Sequence, residues 1–275
     1  MTSTAIGLPQ SGLMNSNRIY HEVMSSQYQP NLRATHDVRM FLLAGEPCIW
    51  KGPAFFAGPI NLYYAIQESG FLNSRNFLVS GRAQILAEAK KLDHLGSNAP
   101  GTALSLRHYD PKRGALVRSY VRGPTFRDMD FEEQTEAIPS IVDLVNQIHR
   151  TGVAIGDAHV KNVILDGFVG KYKWLDFDGR FDACPVRAKA NDLLKLVYSA
   201  FTETRDIKLA VRMAEELRNY GSPKGPDDKD VKRVALKTIA DIDPSIGTYF
   251  TIRAKEETFE EIKDALFEAL VDSIF

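Results

Sequence analysis

The chain has few cysteines and no long apolar run. Only two of its 275 residues are cysteine, Cys48 and Cys184, and their spacing fits neither a disulfide framework nor a metal-binding motif. We expect both to be small buried groups in a reducing compartment. No apolar stretch approaches the roughly 20 residues that a transmembrane helix needs, so we expect no transmembrane segment. These absences predict a soluble, cytoplasmic protein.

Neither sign of charge is in excess, because 34 lysines and arginines accompany 35 aspartates and glutamates and leave a formal net charge of -1. A chain without a basic excess has no overall attraction for nucleic acid or for an anionic membrane. We therefore expect no nucleic-acid partner, and any basic site must be local. The hydrophobic content of 44% is enough for the core of one large domain or of two lobes.

The amino-terminal stretch has a distinct composition. Residues 1–17 are rich in Ser, Thr, Gly and Asn, and no acidic residue precedes Glu22. This composition predicts a flexible arm over residues 1–30. It also resembles the export tails of secreted bacterial effectors, and composition leaves both an export signal and an ordinary frayed terminus open.

The next stretch predicts a hairpin followed by a helix. Two short apolar runs, 38–43 and 48–51, flank a turn of composition Ala-Gly-Glu-Pro and are typical of antiparallel strands. Lys51 would then stand at the end of the second strand. Apolar residues at helical spacing predict a helix over 83–95, and Glu88 lies on an adjoining face of that helix.

Two further segments, 102–107 and 115–121, have the composition of strands and complete a small α+β lobe, which we place at residues 31–122. From residue 123 onward the pattern changes to helices, beginning with an apolar stripe over 138–148. The predicted fold class is therefore α+β, with a small β-rich N-lobe and a helical C-lobe over residues 123–275.

The strongest chemical signal lies in residues 152–179. Asp157 follows a glycine-flanked turn, where its carboxylate could orient a hydroxyl and accept its proton. Asn162 and Asp176 supply oxygen atoms of the kind that Mg²⁺ prefers, and Asp176 stands at the end of an apolar strand. Asp178 is either a further metal ligand or a surface charge. Two carboxylates and an amide in this order predict a phosphoryl-transfer site.

Lys51 and Glu88 are candidates for a second part of this site. A lysine at a strand end could contact the α- and β-phosphates of a nucleotide, and a glutamate on a neighbouring helix could hold it in place. The alternative is that both are solvated charges, as most lysines and glutamates are. The two residues are 37 positions apart in the sequence.

Taken in order, residues 148–153, 156–165 and 175–178 resemble the catalytic core of the protein-kinase-like superfamily. The patterns Asp-x-His-x-x-Asn and Asp-Phe-Asp are similar to its atypical and small-molecule branches, such as aminoglycoside phosphotransferases and lipopolysaccharide sugar kinases. The resemblance implies a bilobal kinase-like fold, ATP and Mg²⁺ as cofactors, and nucleotide contacts at Ser119 and Val121 in the linker between the lobes.

The chain also departs from the pattern of that superfamily. Ile155 stands where many members have histidine, and His159 replaces a lysine; His159 would contact either the reacting groups or the loop backbone. No glycine-rich loop precedes Lys51, so the cover over the phosphates is either a different turn, around residues 34–37, or poorly formed. The Ala-Pro-Glu element that supports peptide substrates is not recognisable. The resemblance implies that Asp192 braces the catalytic loop.

These observations predict an ATP-dependent phosphotransferase that moves the γ-phosphate to a hydroxyl-bearing acceptor, a sugar or a lipid-linked sugar. Two alternatives stay open at this point. One is a protein Ser/Thr kinase, which a secreted bacterial effector would fit. The other is a non-catalytic pseudokinase that binds a nucleotide or a partner, which the missing glycine loop and Ile155 favour.

Overall fold

The computed structural model describes residues 16–25, 31–32, 36–53, 80–181, 185–221, 226–241 and 256–274. Their helices are α1 Ser16–Ser25, α2 Gly81–Asn98, α3 Phe131–Arg150, α4 Pro185–Thr204, α5 Ile207–Glu216, α6 Pro226–Ala240 and α7 Glu256–Ile274. Their strands are β1 Asn31–Leu32, β2 His36–Leu43, β3 Glu46–Pro53, β4 Leu106–Asp110, β5 Ala115–Ser119, β6 Val163–Asp166 and β7 Lys171–Trp174. Short 3-10 turns occur at Phe126–Asp128, Val160–Asn162 and Leu217–Asn219.

Strands β1 to β5 form one antiparallel sheet in the order β1-β2-β3-β5-β4. The predicted hairpin is confirmed, because β2 pairs with β3 through a tight turn in which Ala44 and Gly45 both have positive φ, 52° and 86°. Such a two-residue turn matches the twist of the strands that it joins. Lys51 lies on β3, opposite Val38 of β2 and Leu116 of β5.

A helix covers each face of this sheet. On one face, Ile85 and Ala89 of α2 pack on Leu116. On the other face, Ile19 and Val23 of α1 pack with a group of buried sheet residues: Phe41, Leu43, Cys48, Trp50, Ala115 and Val117. Cys48 is buried as predicted, whereas Cys184 lies outside the described residues.

Residues 16–25 differ from the prediction of a flexible arm over 1–30, because they form a packed helix. Ile19 and Val23 are one helical turn apart, and both are almost fully buried. This pair gives an apolar stripe that the sheet covers, and a composition-based reading of the segment overlooks it. The rest of the predicted arm lies outside the described residues, and Asn31–Leu32, which follow it, begin the sheet.

The strand predicted over 102–107 is in the wrong place, since β4 begins only at Leu106. The carbonyl oxygen of Thr102 instead accepts a hydrogen bond of 2.9 Å from the backbone N–H of Trp174, and Ala103 forms a parallel bridge with Trp174. Residues 102–103 therefore pair with β7, which belongs to the second lobe, and this pairing joins the two lobes.

The second lobe is helical and contains the larger core. Helices α3 to α7 bury a continuous apolar cluster whose members include Ile138, Val145, Leu193 and Phe259. The β6–β7 hairpin lies beside it and contributes Trp174, which is completely buried. The predicted α+β fold, with a small sheet lobe followed by a helical lobe, is confirmed.

The linker between the lobes lies directly on the β6–β7 hairpin. A Cβ atom on Gly123 would come within 1.8 Å of the carbonyl oxygen of Leu165, so only glycine permits this approach. The carbonyl oxygen of Arg122 accepts a hydrogen bond of 3.1 Å from Gly167. These contacts fix the position of the chain where it passes between the lobes. None of the helices described above is both long and apolar enough to cross a membrane.

Because the side chain of Ile19 is buried between α1 and the sheet, truncating it should lower the stability of the fold. Replacement Ile19→Ala should lower the free energy of unfolding by about 2–4 kcal/mol, because it leaves a cavity between helix and sheet. The matched control is Met24→Ala on the same helix, where the side chain is 38% exposed and the expected loss is small. Urea denaturation of both variants measures the difference, and equal stabilities would contradict the docking of α1.

Candidate functional site

A cluster of buried charges lies between the two lobes. The Nζ atom of Lys51 lies 2.6 Å from Oε2 of Glu88 and 2.5 Å from Oδ1 of Asp176. The side chains of Lys51 and Glu88 are 4% and 1% exposed, and that of Asp176 is 25% exposed. Burial alone would lower the pKa of Lys51, but the carboxylates of Asp176 and Glu88 outweigh it and raise this pKa. Lys51 is therefore held as an ammonium ion against the loop that carries Asp176.

Glu88 also binds a second cation. The Nη1 atom of Arg118 on β5 lies 2.9 Å from Oε1 of Glu88 and also donates to the carbonyl oxygen of Leu175. Each oxygen of the Glu88 carboxylate thus accepts a hydrogen bond from a different cation. Arg118 connects the sheet, helix α2 and the residue that precedes Asp176.

Asp157 and Asn162 form the second half of the site. The Nδ2 atom of Asn162 donates to Oδ2 of Asp157 at 3.0 Å and to its carbonyl oxygen at 3.1 Å. Because the amide nitrogen is directed at Asp157, the amide oxygen of Asn162 points away from it. The backbone carbonyl of Asn162 accepts a hydrogen bond of 2.8 Å from Leu175. We call residues 155–162 the catalytic turn, after the role predicted for Asp157. This turn is therefore tied to the strand end that carries Asp176.

The carboxylate of Asp157 is surrounded by basic groups. Nε2 of His159 lies 3.3 Å from Oδ1 of Asp157. Burial would raise the pKa of Asp157, but His159, Lys195 and Lys161 together outweigh burial and lower it. On its other side, His159 faces Glu203, with Nδ1 4.0 Å from Oε1. The ring of His159 thus lies between two carboxylates, and Asp157 is kept ionised.

Asp192 on α4 braces the backbone of the catalytic turn. Its carboxylate accepts hydrogen bonds of 2.7 Å from the N–H of Ile155 and 2.8 Å from the N–H of Gly156. Nε2 of His149 lies 3.0 Å from the same carboxylate, and Nδ1 of His149 lies 2.8 Å from the hydroxyl of Tyr220. The brace that the resemblance implies is therefore present, and His149 has a packing role below it.

Asp178 lies against the catalytic turn. Gly156 has a φ of 88°, and a Cβ atom there would lie 2.0 Å from the carbonyl oxygen of Asp178. Nζ of Lys195 donates to the carbonyl of Gly156 at 2.7 Å. Burial and the carboxylate of Asp157 raise the pKa of Asp178. Asp178 and Asp157 therefore interact, and a divalent cation would relieve their repulsion.

The donors present fit Mg²⁺, which prefers carboxylate and amide oxygens. Asp176, Asp178 and the amide oxygen of Asn162 provide this chemistry. Within the described residues no three His, Cys, Asp or Glu side chains are gathered into a metal-binding group. Mg²⁺ usually takes only one or two carboxylates and completes its shell with water and substrate phosphates, so a nucleotide site does not require such a group.

The predicted nucleotide contacts fall at the linker between the lobes. Ser119 ends β5, and its backbone N–H donates to the carbonyl of Ser105 at 2.9 Å. Val121 follows in the linker and is half-buried. Their roles stay a prediction. Of the turn expected to cover the phosphates, residues 34–35 lie outside the described part of the chain, and residues 36–37 belong to β2.

The described structure thus combines a sheet lobe that has a buried glutamate on α2, a linker, and a helical lobe that carries the catalytic turn. No protein-family model matches the chain. The "Probable bifunctional tRNA threonylcarbamoyladenosine biosynthesis protein" of Methanothermobacter thermautotrophicus is 37% identical over 73 residues. The match covers 26% of this chain and 13% of that protein's length.

Two solved structures of the protein-kinase-like superfamily are similar to the chain. WaaP in complex with acyl carrier protein has a TM-score of 0.40 and 16% identity, and the match covers 80% of this chain and 92% of WaaP. The Rio2 kinase of Chaetomium thermophilum, in a complex with ADP, Mg²⁺ and phosphoaspartate, has a TM-score of 0.46 and 13% identity over 94% of this chain and 74% of Rio2.

Several residues of the site were not predicted from the sequence. Arg118 and Lys91 are charged residues within apolar patterns. Arg118 lies two residues after Leu116 on β5 and therefore on the same face of the sheet, and Lys91 is one of the few charged residues at buried positions of α2. Lys195 interrupts an apolar run in α4 in the same way. A charge at a position that should be buried is the signal that could have identified all three. Glu203 carries no such signal.

The burial of His149 predicts a loss of stability in acid. Burial lowers the pKa of His149 below its ordinary value of 6.5, although Asp192 opposes this shift. Between the two pKa values the unfolded chain binds a proton that the folded chain does not, so stability falls as the pH drops below about 6.5. One such group contributes at most about 1.4 kcal/mol per pH unit.

Urea unfolding at pH 7.5 and at pH 5 measures this dependence. His149→Gln removes the titrating group and should make the decrease between the two pH values smaller than in the unsubstituted protein. His94→Gln on α2 is the control and should keep the full decrease, since His149 is intact. An unchanged decrease in His149→Gln would show that His149 is not the group responsible.

Proposed function

We propose that the chain is a phosphotransferase that uses ATP and Mg²⁺ and transfers the γ-phosphate to a hydroxyl of a sugar or a lipid-linked sugar. The observation that carries this proposal is the cluster in which Lys51 lies between Glu88 and Asp176. A lysine held by a buried glutamate presents its charge to phosphates, and an aspartate beside it is placed to ligate the metal that accompanies them.

Asp157 has the protonation state that the reaction needs. Its lowered pKa keeps the carboxylate ionised, so it can orient the acceptor hydroxyl and take its proton as the oxygen bonds to the γ-phosphorus. The bond from that phosphorus to the bridging oxygen breaks in the same step and releases ADP. Lys51 binds the phosphates, and Asn162 keeps the Asp157 carboxylate in one orientation. Mg²⁺ held by Asp176 and Asn162 would neutralise negative charge on the phosphates.

The length of one segment supports a small acceptor. Only residues 179–184 separate Asp178 from the start of helix α4 at Pro185. Six residues are too few to build an extended platform along which a peptide could lie. A sugar hydroxyl needs no such platform, because the acceptor can approach Asp157 directly. This favours a sugar or a lipid-linked sugar over a protein acceptor.

The test is transfer of label from γ-labelled ATP in the presence of Mg²⁺ and cell extracts, with lipid, sugar and protein fractions separated afterwards. The purified protein should label a sugar or lipid-sugar fraction. Asp157→Asn should reduce the rate about 10² to 10⁴-fold, because it removes the proton acceptor and keeps the shape of the side chain. Asp143→Asn, at an exposed position on α3, is the control and should leave the rate unchanged.

Each other result would contradict the proposal in a defined way. Label on a protein band would make the chain a protein kinase. Nucleotide binding without label in any fraction would favour a non-catalytic pseudokinase. Full transfer activity in Asp157→Asn would show that Asp157 is not the proton acceptor.

A further inference from the structure

Lys91 is a buried lysine that the reaction described above does not use. It lies three residues after Glu88 on α2 and is 1% exposed. Its Nζ atom donates to the carbonyl oxygen of Ile155 at 3.3 Å and to the carbonyl oxygen of Asp178. One side chain of the sheet lobe therefore contacts both the catalytic turn and the loop that follows Asp176.

The two carbonyls that Lys91 binds already belong to one junction. The carbonyl of Ile155 also accepts a hydrogen bond of 3.0 Å from the N–H of Asp178, and the carbonyl of Asp178 lies directly against Gly156. Lys91 is thus the donor that connects helix α2 to this junction. A shift of α2 would break these bonds, and a shift of either loop would do the same.

Keeping a lysine at this position is energetically costly. Burial lowers the pKa of Lys91 to about 8, even though Asp192, Asp178 and Glu88 raise it. A buried ammonium ion must be hydrogen-bonded, and Lys91 donates to the backbone carbonyls of Ile155 and Asp178, which are weaker acceptors than carboxylates. An apolar side chain at this position would carry no such desolvation cost. The contacts of Lys91 are therefore more consistent with a positional role than with a stabilising one.

We propose that Lys91 is a positioning residue for phosphoryl transfer. It fixes helix α2 at the rotation in which Glu88 holds Lys51, and it fixes the backbone of Asp178 and Ile155 on either side of Asp157. This inference rests on the proposed function for its consequence in catalysis. The link between α2 and the two loops can be tested without any catalytic activity.

The variant Lys91→Met removes the charge and the donor while keeping an unbranched chain of similar length. The matched control is Lys232→Met on α6, because Lys232 is also a buried lysine, has a pKa lowered to about 8, and donates to a backbone carbonyl, that of Arg218, at 3.1 Å. Both variants lose a buried ammonium ion, and only one of them loses the contact with the catalytic turn.

The first measurement is hydrogen exchange without nucleotide. In Lys91→Met, the backbone N–H of Asp178 should exchange about tenfold faster or more, because the junction that protects it has lost its common donor. In Lys232→Met, the exchange rate of the Asp178 N–H should equal its rate in the unsubstituted protein. If Lys91→Met does not fold, Lys91→Gln replaces it, since a glutamine is too short to reach both carbonyls, and the same acceleration is expected.

The second measurement is transfer, corrected for the folded fraction of each variant. Lys91→Met should lower kcat about tenfold to 100-fold with little change in the KM for ATP, and half-maximal activity should need more Mg²⁺. Lys232→Met should keep the original kcat and Mg²⁺ requirement. If Lys91→Met and Lys232→Met had the same exchange rate at Asp178 and the same transfer rate, the proposed role of Lys91 would be overturned. Absence of transfer in the unsubstituted protein would refute the proposed function alone, because the exchange experiment still tests the junction.

Discussion

The contact on which the rest of the structure depends is the ion pair between Lys51 and Glu88. Two charges that are almost completely buried cannot exist without one another, and removing one partner of such a pair typically costs about 3–5 kcal/mol. Because the partners come from strand β3 and helix α2, the pairing fixes how the helix lies on the sheet. Arg118 and Asp176 extend the cluster to β5 and to the second lobe. The position of the lobes and the geometry of the site therefore follow from the same requirement for charge compensation.

The catalytic turn is held in place by side chains from outside it. The N–H groups of Ile155 and Gly156 donate to Asp192, the carbonyl of Gly156 accepts from Lys195, and the carbonyl of Ile155 accepts from Lys91. A loop held by hydrogen bonds to these backbone groups has little freedom to reorganise when charge develops next to it. Such preorganisation is the main means by which a protein can accelerate a reaction in which it forms no covalent bond. The departure at Ile155 is compatible with this arrangement, because the backbone of Ile155, and not its side chain, makes these hydrogen bonds.

Much of the site could be predicted from the sequence because its central residues lie close together in the chain. The order of Asp157, Asn162 and Asp176 is a local pattern, and hairpin and helix periodicity were enough to place Lys51 and Glu88 on neighbouring elements. The contacts of Lys91 and Arg118 could not be predicted, because a charge within an apolar pattern acquires a partner only when the tertiary structure brings one. The segment 102–103 was misplaced for a related reason: its pairing partner, β7, lies about 70 residues further along the chain, and a local pattern carries no information about it.

If the proposed function holds, the space beside Lys51 and Asp176 binds a nucleotide together with Mg²⁺. Calorimetric titration with a non-hydrolysable ATP analogue, with and without Mg²⁺, measures this binding in the unsubstituted protein and in Asp176→Asn. We expect Mg²⁺ to strengthen binding to the unsubstituted protein and to have no such effect in Asp176→Asn, because the carboxylate that would ligate the metal is gone. Binding that is equally strong in both proteins and independent of Mg²⁺, or no binding to the unsubstituted protein, would refute the nucleotide site.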